Sequence, residues 1–73
     1  MKKFIAENIK NLRLKNGLTQ NKLCEELKKY GCVMSRSTYT KYERGNNALP
    51  YDVLIAIIKY YNVTADFILG LKK

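Results

Sequence analysis

Histidine is absent from the sequence. Its absence excludes serine–histidine and cysteine–histidine catalysis at once. Acids are scarce, six against fourteen lysines and arginines. They are scattered, so no pair of carboxylates stands ready for general acid–base work. No glycine-rich phosphate loop is present. Neither an enzyme nor a cofactor is therefore expected. Cysteine is limited to Cys24 and Cys32. Two are too few for a disulfide framework, and without histidine they cannot complete a four-ligand zinc site. No metal is expected, and the pair reads as reduced thiols of a cytoplasmic protein. No apolar run approaches the roughly 20 residues of a membrane span. Met1-Lys2-Lys3 leads into Phe4-Ile5-Ala6-Glu7, which is not the pattern of a signal peptide. Neither a membrane nor a small-molecule partner is expected. No segment alternates with period two, which argues against a sheet.

What is present is charge and helical periodicity. The 73 residues suit one domain, 1–73, with a net charge of +8. Residues 1–45 hold eleven basic and four acidic side chains, residues 46–73 only three and two. Such asymmetry points to a polyanion, nucleic acid ahead of an anionic membrane.

The basic half is arranged around Ser35 to Gly45, read as a short helix over 36–44. Ser35 has the side chain of an N-cap, and Gly45 sits where a left-handed terminal residue belongs. Tyr39 and Tyr42 share one face, with Thr38 beside it. The opposite face carries Arg36, Ser37, Thr40, Lys41 and Arg44, with Glu43 the only acid nearby. That face is either a solvated surface or a row of donors suited to a phosphate-lined groove.

Four more helices surround this one. Ile5, Ile9 and Leu12 form the apolar stripe of a first helix over 4–15, stopped by Gly17. Thr19 caps a second, over 20–30, with Leu23, Leu27 and Tyr30 as its stripe and Cys24 packed beside it. Gly31-Cys32-Val33-Met34 is then the turn of a helix-turn-helix. Asn46 to Leu49 is a loop. Pro50 opens a helix over 51–61, with Leu54, Ile57, Ile58 and Tyr61 inward. Thr64 caps the last, over 65–70, with Phe67, Ile68 and Leu71 apolar and Gly70 marking a frayed end. The fold expected is all-α, a compact five-helix bundle.

Placed on these helices, the motifs resemble a known family. They are Asn11-Leu12-Arg13, Gly17-Leu18-Thr19-Gln20, Leu23, Tyr42-Glu43-Arg44-Gly45, Pro50, Leu54, Ile57, and the run from Tyr61 to Gly70. In this order they resemble the Cro/CI-type, XRE-like helix-turn-helix family of phage repressors and bacterial transcriptional regulators. The likeness covers Phe4 to Leu71. It implies sequence-specific binding to double-stranded operator DNA, usually by a homodimer, with repression the expected outcome. The second helix would cross the backbone and the third would enter the major groove. By position, Arg36, Ser37, Thr40 and Lys41 fall where family members touch base edges. Gln20, at the start of the second helix, would bond a phosphate. Arg44, Asn46 and Asn47 fall where the following loop meets the backbone again. Arg13 and Glu43 match an internal ion pair of the family.

The stretch from Thr19 to Gly45 is several residues longer than in the most compact members, so which side chain reads which base stays open. Met34 either packs inward or meets a thymine methyl. Tyr51 and Tyr60 are surface or dimer interface, with Leu49 and Leu69 as further apolar surface. Two rival classes remain. One is a protein-interaction module of the same fold, antitoxin-like or an anti-repressor partner. The other is a nonspecific nucleic-acid binder.

Overall fold

Three of the helices start on hydroxyls, and left-handed residues close the helical segments. A computed structural model describes residues 2–70. It contains α1 (Lys2–Lys15), α2 (Gln20–Leu27) with a 3-10 turn at Lys28–Tyr30, α3 (Arg36–Glu43), α4 (Tyr51–Tyr61) and α5 (Ala65–Leu69). Among the described residues there is no strand, and no helix is long and apolar enough to cross a membrane. Thr19 accepts from the Lys22 N–H at 3.0 Å, Ser35 from Thr38 at 3.2 Å and Thr64 from Phe67 at 3.1 Å. Each such cap is worth about 1 kcal/mol.

The stops share one geometry. Gly17, Gly31, Gly45, Asn62 and Gly70 all have positive φ. After the first four, the next N–H reaches back to the carbonyl five residues earlier. These bonds are Leu18 to Arg13, Cys32 to Leu27, Asn46 to Lys41 and Val63 to Ile58, at 3.0–3.2 Å. At Gly70 there is a second constraint, since a Cβ there would run into the Phe4 ring.

The core draws on every helix. Ile9, Leu23, Leu27, Tyr39, Ile57 and Ile68 are its largest fully buried side chains. Asn8 donates to the Ile68 carbonyl at 2.8 Å and ties α1 to α5. Cys24 and Cys32 are buried and unpaired, and burial pushes both thiols up, so each packs as a small neutral side chain. Met34 is half-buried and packs against the core, which decides its direction.

Several boundaries differ from the sequence reading. α1 begins at Lys2 rather than residue 4. The segment 20–30 is not one α-helix, because its last turn tightens into the 3-10 form. That tightening rotates Tyr30 off the stripe by roughly 60°. Tyr30 is accordingly 44% exposed and stacks edge-on to Tyr60, with ring centres 6.2 Å apart. Arg44 caps α3 rather than extending it. On α4 the buried positions are Val53, Ala56 and Ile57, with Leu54 and Ile58 only half-buried. α4 packs against both α2 and α5, so its buried arc is centred elsewhere than the stripe suggests. Phe67 is 49% exposed, so only Ile68 of the inward positions on α5 is fully buried. Leu71 lies outside the described residues.

Candidate nucleic-acid interface

α3 is held from beneath by a polar network. Arg13 projects from the last turn of α1. It donates to both oxygens of Glu43, Nε to Oε2 at 2.6 Å and a terminal nitrogen to Oε1 at 3.1 Å. Its other terminal nitrogen donates to the Leu18 carbonyl at 2.8 Å. Gln20 Nε2 adds a bond to Glu43 Oε1 at 3.1 Å, and Thr40 donates to Gln20 Oε1 at 2.7 Å. One carboxylate thereby joins α1, the turn before α2, α2 and α3. The two side chains of the ion pair are 11% and 4% exposed.

The electrostatics follow from burial and bonding together. Burial alone would raise the Glu43 carboxyl. Hydrogen bonds from Arg13 and Gln20, with the Tyr39 hydroxyl beside them, outweigh it and hold the carboxyl below its ordinary value. The bond to Glu43 raises the Arg13 guanidinium further. The Tyr39 hydroxyl is buried near Glu43 without a hydrogen bond of good geometry. Burial first, and the carboxylate second, push that phenol well above its usual range. The network is charged, paired and fixed at neutral pH.

The outer face of α3 is open. Arg36, Ser37, Lys41 and Arg44 are exposed and Thr40 is half-buried. All five line one shallow depression of about 310 Å³. A second depression of about 310 Å³ lies between α1 and α3, lined by Lys10, Arg13, Gln20, Arg36, Thr40, Glu43 and Arg44. The structure therefore brings Arg36, Ser37, Thr40, Lys41 and Arg44 together, with Gln20 at their edge. Asn46 and Asn47 are exposed but line neither depression. Asn47 instead borders an apolar depression of about 230 Å³ with Ile5, Ile9, Tyr42, Leu49, Leu54 and Leu69. Tyr51 is 78% exposed, whereas Tyr60 is engaged by Tyr30 and Tyr61 within the chain.

The sequence reading assigned Lys10 no role. The available signal was its spacing. Lys10 is three residues before Arg13 and so shares its face of α1.

A sequence model of the helix-turn-helix family matches residues 9–68. The chain is 31% identical over 66 residues to a Bacillus subtilis (strain 168) protein named as an uncharacterized HTH-type transcriptional regulator, YobD. The match covers 90% of this chain and 54% of that relative, so the chain spans about half the relative's length. No solved structure matches. The family match runs from the middle of α1 to the last turn of the bundle and takes in α2, the turn and α3 whole. The chain belongs to the helix-turn-helix family, of the XRE type.

Proposed function

We propose that this chain is a sequence-specific DNA-binding transcriptional regulator, acting as a repressor, that lays α3 in the major groove of double-stranded DNA. The observation that carries the reading is the row of donors on the outer face of α3, on a helix whose other side is anchored by the buried Arg13–Glu43 pair. A rigid element can present side chains to base edges in a repeatable register. The net charge of +8 supplies attraction to phosphate. The family membership and the relative's name as a transcriptional regulator support it. Two buried, unpaired thiols suit the reducing cytoplasm.

The roles divide by chemistry. Arg36 and Lys41 suit guanine O6 and N7, and Ser37 serves a donor or an acceptor. Thr40 donates its hydroxyl hydrogen within the chain, so it offers bases only acceptor lone pairs and a methyl group. Gln20 has one amide hydrogen in its bond to Glu43 and one left for a phosphate. Arg44, Asn46 and Asn47 contact the backbone beyond α3.

A homodimer on DNA completes the reading. Two copies would set their α3 helices about 34 Å apart along an inverted repeat. The exposed Tyr51 and the apolar depression at Leu49 and Leu69 supply surface for the contact.

The test is selection from a random duplex library, followed by titration of winning and scrambled sites at fixed salt. An inverted-repeat consensus bound far above scrambled duplex is the expected result. Equal affinity for every duplex would leave a nonspecific binder. No measurable affinity at low salt would leave an interaction module.

A further inference from the structure

We propose that the depression between α1 and the end of α3 is an anion site for a single backbone phosphate, with Lys10 as one of its two jaws. The DNA-binding reading supplies the source of that phosphate, and the site's own chemistry stands apart from it.

Five charged side chains line the depression. Glu43 is the one anion, and Arg13 neutralises it through a two-point contact. Lys10, Arg36 and Arg44 are left. None of the three makes an ion pair among the described residues. Three uncompensated cations around one concavity form a site that attracts anions.

The geometry divides those three cations. Lys10 approaches from α1, one turn before Arg13. Arg44 comes from the cap of α3. Arg36 and Arg44 line both this depression and the outer one, so Lys10 is the one free cation confined to it among the described residues. Gln20, also in the lining, holds one amide hydrogen that its bond to Glu43 leaves free. A phosphate here would meet an ammonium, a guanidinium and a neutral N–H. A lysine suits this task, since its ammonium acts on phosphate as a point charge without demanding a fixed fork. The consequence for function is a third hold on DNA. The start of α2 and the end of α3 would grip from two directions, and Lys10 adds α1, which fixes the tilt of the whole domain.

The experiment compares duplex binding of wild type, Lys10→Ala, Lys10→Arg, Arg44→Ala and, as control, Lys59→Ala over a range of salt. Lys59 is exposed on α4 and lines neither depression. Lys10→Ala and Arg44→Ala should each lower the log–log salt slope, together by about 0.9, one phosphate's worth of counterion. Lys10→Arg should keep the slope, and Lys59→Ala should not move it. An unchanged slope in Lys10→Ala, beside a lowered one in Arg44→Ala, overturns the proposal. A second arm separates it from the DNA reading. Inorganic phosphate is titrated into the wild-type chain while the lysine ammonium and arginine side-chain NMR signals are followed. If the chain binds no duplex, the functional reading fails and this arm alone decides the cleft. Saturable shifts confined to Lys10, Arg36 and Arg44 sustain the site. Uniform drift of every basic side chain overturns it.

Discussion

Glu43 takes hydrogen bonds from two side chains while nearly out of solvent, and two predictions follow from that position. Arg13→Ala leaves its carboxylate buried without a counter-ion. The expected loss is about 3–5 kcal/mol, read from urea denaturation. Folding also holds the Glu43 carboxyl below its ordinary value, so the unfolded chain binds that proton more readily. The stabilisation is then complete above the ordinary carboxyl pKa of about 4.3 and drains away as pH falls through the lower folded value. Unfolding curves taken across that acid window should show a steep decline in wild type. Glu43→Gln should flatten it, and an equally steep decline in that variant would remove Glu43 as its source. On the outer face, the proposed reading and holding roles can be separated by substitution. Arg36→Ala should cost about 1–3 kcal/mol on the preferred site and erase the preference at one base pair. Arg44→Ala should weaken all sequences alike. Titration of both variants against every single-base change in the site compares them directly.

The connection between α2 and α3 is the element that would set the aim of the proposed recognition face. Its 3-10 turn, Gly31 and the irregular stretch to Ser35 carry the chain across. Gly31 has φ 79° and nothing within 4 Å of where a Cβ would be. Substitution there meets no neighbour, so its cost is conformational alone. Gly31→Ala should lower stability by about 1–2 kcal/mol, the penalty of a left-handed residue with a side chain. The thermal midpoint measures it. A loss several times larger would mean that the turn is under constraints beyond its backbone. If base preference survives in the folded variant, the turn sets stability without re-aiming α3.

At the scale of the molecule, a 73-residue chain buries little surface by itself. The apolar depression and Tyr51 are the surface it leaves over. We expect monomers at micromolar concentration in free solution and two chains per inverted-repeat duplex. Sedimentation of the free chain and of its complex checks both. Tyr51→Ala should weaken binding to the full repeat more than to an isolated half-site. Equal weakening on both would remove Tyr51 from the contact between copies.

Local signals were legible in the sequence, because each acts within a few residues. Thr19, Ser35 and Thr64 bond an N–H three positions on, and Gly17, Gly31 and Gly45 close the helix just behind them. Helix number and order follow from such contacts. The positions of Arg36, Ser37, Thr40, Lys41 and Arg44 on one face follow from helical spacing alone. Other features were set by contacts distant in sequence. The 3-10 turn that expels Tyr30 accompanies its stacking on Tyr60, thirty residues away. The buried arc of α4 depends on two helices pressing from different sides. Thr40 and Gln20, read separately as base and phosphate contacts, share a hydrogen bond across twenty residues. Lys10 joins Arg44 in one cleft only because α1 and α3 are packed together. The sequence by itself determined the helices, their caps and their charged faces, since propensity and capping are short-range. Tertiary structure alone decided which donors remain free and which cations converge, since packing fixes both.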